Sequence, residues 1–313
     1  MAADAISQFN EQTDNQAELV LHATNEEIMG KLIASKGKGY DVVFVSSPFA
    51  EVLHKMGLTE DLDHSRIPNI KNLYAEANQL PHDPGNHFSI PYAWGTTGLC
   101  YRSDLIDKTP TSWMDLLTPD KALDGKTTML STDRWLLAAG FLAKGYSVNE
   151  TDESRVHEVR DLLIDTKKTL LAYDDTTFYA KLVSGEAELV QAWDGWCNYG
   201  IGENASIRYM IPKEGSDLWV DTMVIMKNSE HKDAAYAFVN YILAPENHGW
   251  AAQNILYKVP NKPAMEALTE DFLSQYPNMA IAPTQLMSYE QLRDVGKSQR
   301  LYSRTVSEIK AAN

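Results

Sequence analysis

Along residues 25–35 apolar side chains return every three to four positions. Ile28, Met29, Leu32 and Ile33 share one side of the predicted helix. The Lys36-Gly37-Lys38-Gly39 stretch breaks that rhythm, and the pattern changes to an unbroken run, Tyr40-Asp41-Val42-Val43-Phe44-Val45. Such a run reads as a strand covered on both faces, as parallel strands are. Ser46-Ser47-Pro48 then turns into a helix predicted over 49–56. The alternation continues with a strand over 127–130, a helix over 135–143 and an amphipathic helix over 153–163. Residues 179–184 lead into a buried strand over 189–193, and a strand over 207–211 ends at Pro212. Residues 222–226 are apolar again, and a helix over 232–243 is stopped by Pro245. A final helix is predicted over about 291–310. Shorter elements are a first helix over 4–13 with Asp4 as N-cap, a strand over 18–21 and a helix over 112–117. Strands alternating with helices predict α/β layers.

The segment Ser89 to Tyr101 is strand-like but interrupted by small residues, which suits a stretch that passes from one lobe to another. Turn chemistry at Asp83-Pro84-Gly85-Asn86 precedes it. A chain of 313 residues is long for one core and comfortable for two. No Gly/Ser linker, repeat or low-complexity tract separates the halves, so any crossing between lobes lies inside structured segments.

Charge narrows the function. The formal net charge is −15, which disfavours nucleic acid and anionic lipid and is compatible with a cationic ligand. No apolar run is long enough to span a bilayer, and the opening residues do not form a signal peptide. Cys100 and Cys197 have no metal-type spacing; they read as two buried thiols, with a disulfide as the alternative. The histidines, from His22 to His248, fall in no metal pattern, and there is neither a nucleophile elbow nor a phosphate loop. No cofactor is expected, and the chain is not expected to be an enzyme.

The aromatic residues carry the most information. Trp193-Asp194-Gly195-Trp196 follows a buried strand and belongs at its C-terminal end, where open α/β sheets bind ligands. Trp219-Val220-Asp221 opens another apolar strand, Tyr92 and Trp94 flank the crossing segment, and Tyr257 precedes the turn Val259-Pro260-Asn261. A Trp face attracts an alkylammonium and covers its methylenes, while a carboxylate takes a charge-assisted hydrogen bond from it. Taken singly these tryptophans are better explained as packing; Trp193, Trp219 and Asp221 together favour a site for a cationic amine.

The chain resembles the periplasmic spermidine/putrescine-binding proteins, a group within the extracellular solute-binding superfamily. The likeness runs from Ala5 to about Ala311. It is carried by Tyr40-Asp41-Val42-Val43, Ile90-Pro91-Tyr92-Ala93-Trp94-Gly95, Thr111-Ser112-Trp113-Met114-Asp115-Leu116 and Lys144-Gly145-Tyr146-Ser147. Further carriers are Ala192-Trp193-Asp194-Gly195, Val259-Pro260-Asn261 and Asp294-Val295-Gly296. The most specific is Pro212-Lys213-Glu214-Gly215-Ser216-Asp217-Leu218-Trp219-Val220-Asp221. The resemblance implies a two-lobed periplasmic-binding-protein fold of type II, each lobe a mixed sheet flanked by helices, with a hinge of crossing strands. The lobes are expected at 1–98 plus 222–268 and at 99–221 plus 269–313.

Carried over by position, Trp193 and Trp219 become cleft aromatics and Asp221 the main amine-binding carboxylate. Tyr257 lines the cleft from the other lobe, and Ser46 and Ser47 sit at the cleft on the loop after a strand. The implied function is capture of a polyamine or related cationic amine and delivery to an ABC transporter permease; the alternative is a ligand-loaded periplasmic sensor signalling to a membrane receptor. The expected protein is a periplasmic monomer without nucleic-acid binding or membrane insertion.

Three departures from the family pattern stand out. The family opens with a strand, normally central in the first lobe's sheet, and this chain begins after it. Where spermidine-binding members carry two carboxylates, this chain reads Ser131-Thr132-Asp133-Arg134-Trp135, so Asp133 and Trp135 become the expected ligand-facing residues there. A family glutamine is replaced by Leu292, beside Arg293. Fewer acids and another aromatic favour a shorter amine, a quaternary ammonium or a zwitterion held partly by Arg.

Overall fold

In the computed structural model, which describes residues 3–312, the chain opens with α1 (Ala3–Gln12), α2 (Asn25–Ser35), β1 (Val42–Ser46) and α3 (Ser47–Lys55). A turn-rich stretch leads to β2 (Ile90–Arg102). Next come α4 (Met114–Leu117), β3 (Thr127–Met129), α5 (Asp133–Ala143), α6 (Glu153–Lys167), β4 (Leu170–Tyr173) and α7 (Phe178–Ser184). Then follow β5 (Leu189–Trp193), α8 (Asp194–Glu203), β6 (Ile207–Met210), β7 (Asp217–Ile225), α9 (Lys232–Ile242) and α10 (Pro245–Ile255). The chain closes with α11 (Lys262–Glu266), α12 (Glu270–Gln275), α13 (Pro283–Leu286), β8 (Glu290–Gln291) and α14 (Gln299–Ala311).

These elements form two compact units, residues 1–94 with 219–272 and residues 95–218 with 273–313. The chain passes between them inside β2, inside β7 and inside α12. The crossings fall a few residues from the expected boundaries, so Trp219 and Asp221, expected in the second lobe, belong to the first unit.

In the first unit β1 pairs antiparallel with β7, from Val42 opposite Ile225 to Ser46 opposite Asp221. The unbroken apolar run therefore does not mark a parallel strand. It marks a strand covered on both sides: Ile28, Met29 and Leu32 of α2 pack with Val43, Val45, Leu53, Phe88 and Val224 in one core. A second layer is aromatic. Phe9 of α1 meets Phe238 of α9 edge-on at 5.1 Å, and Phe44 meets Tyr92 at 4.9 Å. The buried carboxylate of Asp83 fixes the entry to β2. It accepts the backbone N–H groups of His87, Phe88 and Ser89 at 2.8–2.9 Å and the Ser89 hydroxyl at 2.9 Å. Gly85 and Asn86, both at positive φ, make the turn that brings those groups round to it.

The second unit holds a mixed sheet. β2 runs antiparallel to β5 and β6, whereas β3 runs parallel to β4 and β5. A buried disulfide joins Cys100 of β2 to Cys197 of α8, with Cα atoms 5.9 Å apart, so the reading of two thiols is corrected. Spacing alone gave no cue, because β2 and α8 meet only once the sheet has formed. On the helical side α14 packs against α5 and α6. Helices α5 and α6 approach closely at Gly140, where an added Cβ would lie 2.4 Å from Val159 Cγ1. Gly140→Ala is therefore expected to destabilise the protein by about 2 kcal/mol, because overpacking outweighs the gain of up to about 1 kcal/mol in helix propensity. Chemical denaturation tests this, and a variant as stable as the parent would show that Val159 moves aside freely.

Other local expectations change. Residues 18–21 form no strand: the stretch has no regular secondary structure, and Val20 and Leu21 are 57% and 75% exposed. Strand-forming composition needs a paired neighbour to become a strand. Helix α1 starts at Ala3, so Asp4 lies within it. Pro245 does not merely end α9; it opens α10 in its first turn, where its missing N–H costs nothing. The final helix starts at Gln299, because Glu290–Gln291 is a short strand and Gly296 takes a positive φ.

Candidate functional site

The antiparallel register places Ser46, the last residue of β1, opposite Asp221 of β7. Ser46 Oγ donates to Asp221 Oδ1 at 2.7 Å. Asn25, the first residue of α2, holds Ser46 in turn. Its Oδ1 accepts the Ser46 backbone N–H at 3.0 Å, and its Nδ2 donates to Ser46 Oγ at 3.2 Å. Ser46 occupies the N-cap position of α3 without a side-chain capping bond and is buried, and Ser47 in the first turn is fully buried. Burial pushes the Asp221 carboxyl above its ordinary pKa, and the Ser46 hydroxyl draws it part of the way back.

Trp219 lies two residues before Asp221, so the two side chains leave the same face of the strand. The indole is buried and meets the Tyr257 ring edge-to-face, with centroids 5.2 Å apart and planes at 82°. Its N–H has no hydrogen-bond partner among the described residues. Tyr257 reaches this position because α10 closes with Leu256 in the left-handed region, φ 54°, which turns the chain sharply. The first unit thus gathers Ser46, Trp219, Asp221 and Tyr257. The expectation that Tyr257 comes from the opposite lobe to Trp219 is corrected, since β7 changes units just before Trp219.

The second unit builds a different surface. Trp193 ends β5 and is half-buried; Trp135 of α5 is buried and packs edge-on against it, with centroids 5.4 Å apart. Gln191 locks the pair: its Nε2 donates to the Trp135 carbonyl at 2.7 Å, and its Oε1 accepts the Leu130 N–H at 3.1 Å. The Trp135 indole N–H also lacks a partner among the described residues. Asp133 sits in the first turn of α5, where a carboxylate suits the helix dipole, and accepts from the Ser303 hydroxyl at 2.8 Å. Arg134 turns the other way, toward Asn149 Oδ1 at 2.6 Å and the Arg293 carbonyl. Leu292 is buried.

Sequence reasoning missed Asn25. Its only mark is a polar residue after the capping Thr24, which is indistinguishable from ordinary capping chemistry. Among the described residues no three His, Cys, Asp or Glu side chains are grouped to hold a metal, and no helix is long and apolar enough to cross a membrane. One cluster offers paired rings, a carboxylate and a hydroxyl; the other offers two crossed indoles. Both fit a cation carrying apolar methylenes.

A model of the bacterial extracellular solute-binding proteins matches residues 4–281. A spermidine/putrescine-binding periplasmic protein of Salmonella typhimurium is 29% identical over 98% of this chain and 87% of its own length. A putrescine/agmatine-binding protein of Pseudomonas aeruginosa is 27% identical over 100% of this chain and 90% of its own. Among solved structures, a Listeria monocytogenes protein assigned to a spermidine/putrescine ABC transporter superposes with a TM-score of 0.91. It is 28% identical, covering 100% of this chain and 96% of that one. The substrate-binding protein of a Streptococcus pneumoniae spermidine/putrescine ABC transporter gives a TM-score of 0.84 at 28% identity, covering 99% and 95%.

Proposed function

The chain belongs to the bacterial extracellular solute-binding proteins, and from that premise we propose that it captures a polyamine or related cationic amine for the permease of an ABC importer. The observation that supports this most directly is the Ser46–Asp221 pair beside the Trp219–Tyr257 rings. A carboxylate answers the ammonium, and ring edges and faces cover the carbon chain. Trp135, Trp193 and Asp133 are proposed as further ligand-contacting residues, the crossed indoles offering ring surface to an alkylammonium. In this reading the ligand leaves unchanged, the protein acts as a monomer outside the cytoplasmic membrane, and no cofactor takes part. Relatives named for ABC transport favour import over sensing.

The second unit supplies two indoles where an additional acid would suit a longer polyamine. A shorter diamine or a methylated ammonium is therefore the favoured ligand. Calorimetry with putrescine, spermidine, agmatine, choline and γ-aminobutyrate tests this. One cationic amine is expected to bind at micromolar Kd or tighter, with 1,4-butanediol silent because it lacks charge. Absence of binding by every amine would end the reading. In the same assay Trp193→Ala is expected to weaken binding roughly tenfold, the size of one lost cation–ring contact.

A further inference from the structure

Three hydrogen bonds in the first unit determine the direction of a proton. The Ser46 backbone N–H can only donate, so the Asn25 atom 3.0 Å from it is the amide oxygen. The other end of that amide, the NH2, therefore faces Ser46 Oγ at 3.2 Å and donates to it. With this donor on one side, the single proton of the hydroxyl is directed to its other partner, Asp221 Oδ1 at 2.7 Å. Asn25 is held firmly enough to impose this order. It opens α2, whose first turn is capped by Thr24 Oγ1 accepting the Glu27 N–H, and Ile28, Met29 and Leu32 anchor the helix in the core. Without Asn25 the Ser46 hydroxyl is free to rotate, and its lone pairs then meet the carboxylate part of the time.

We propose that Asn25 is a positioning residue for the Asp221 carboxylate, acting through Ser46 to keep one oxygen hydrogen-bonded and the group charged. This rests on the reading of Asp221 as the amine-binding acid. Among the described residues the Asp221 side chain makes no other hydrogen bond. Among the described residues the relay therefore supplies the one hydrogen-bond donor to that side chain, in a place where burial disfavours the charge.

The test is a double-mutant cycle read by two measurements. Carboxyl-detected NMR of the unliganded protein, with Asp221→Asn for assignment, follows the Asp221 titration in the parent, Asn25→Ala, Ser46→Ala and the double variant. Each single variant is expected to raise the Asp221 pKa by about one unit, the scale of one hydrogen bond to a carboxylate. The double variant is expected to go no higher than Ser46→Ala alone. An unchanged titration in Asn25→Ala, or full additivity, overturns the proposal. Should Asn25→Ala fail to fold, Asn25→Asp keeps the acceptor for the Ser46 N–H. Its added charge then acts equally with and without Ser46, so the difference between the two backgrounds isolates the relay. The second measurement is putrescine affinity by calorimetry, expected to fall roughly tenfold in Asn25→Ala and in Ser46→Ala. A parent that binds no putrescine counts against the ligand reading, while the titration still decides the role of Asn25.

Discussion

Asp221→Ala is expected to weaken amine binding by about two orders of magnitude while leaving the fold as stable as before or slightly more so. The loss has two sources. A charge-assisted hydrogen bond contributes roughly 1.5–3 kcal/mol, and an ammonium desolvated without its partner costs more than the bond itself. The stability effect has the opposite sign. Burial already raises the Asp221 carboxyl above its ordinary pKa, so the folded protein bears a cost for the charge that the alanine variant does not. Among the described residues the substitution removes the bond from a single donor, Ser46. Calorimetry and thermal denaturation on the same preparation separate the two effects. A Kd within twofold of the parent would remove Asp221 from the site. Lost binding accompanied by a much lower Tm would trace the loss to unfolding instead.

The second large effect concerns pH. Asp217 is buried in the second unit, its Oδ2 has no partner among the described residues, and burial pushes its carboxyl from 3.8 up to about 7. An acid raised in this way is protonated in the folded protein while the unfolded chain has already lost its proton. Stability therefore falls as pH rises from about 4 to 7 and is level above that. The difference of three pKa units corresponds to about 4 kcal/mol at most. Asp217→Asn keeps the shape and removes the titration. It is expected to be more stable than the parent by up to that amount at pH 8 and nearly equal to it at pH 4. Melting curves at both pH values decide; an equal Tm at pH 8 would mean that Asp217 is solvated.

His248, in the first unit, pulls the other way. Its Nε2 bonds the Tyr92 carbonyl at 2.8 Å, and burial lowers its pKa from 6.5 to about 4, so its contribution is present above 6.5 and lost as pH falls toward 4. In the parent the two slopes oppose each other in the same window but act on different units. Acid weakens the unit with His248, and neutral to basic pH weakens the unit with Asp217.

How much of this was legible in the sequence depended on whether the cue was local. Helix α2 and strand β5 occupy the residues that periodicity predicted, because each has an uninterrupted pattern with punctuation at its ends. Strand β4 was missed, since Leu170–Tyr173 is four half-buried residues that are strand-like only beside β3. Helix α10 was missed because Pro245 reads as a stop and only helix geometry makes it a start. At the site, Trp219 and Asp221 stood out as aromatic and acid two apart on a strand. The family resemblance pointed to Tyr257 as an expected ligand-facing residue but not to its place beside Trp219, because that depends on where β7 changes units. Asn25 went unnoticed, and the Cys100–Cys197 disulfide stood only as the alternative to two thiols, for the same reason: each partner lies tens of residues away, and no spacing rule joins them.

The cross-link between β2 and α8 also affects how the protein must be prepared. It closes a loop with a sequence separation of 97 and sets the helix that begins just after Trp193 against the sheet. Oxidising compartments make such a bond and the cytosol does not. Material produced in a reducing host is then a second chemical species, differing in mass only by the hydrogens of two buried thiols. Its denatured ensemble lacks a tether that counts for about 4.7 kcal/mol in a loop of roughly this length. Affinity and melting measurements on such material should therefore be preceded by thiol titration under denaturing conditions, so that the reduced fraction is known before any variant is ranked.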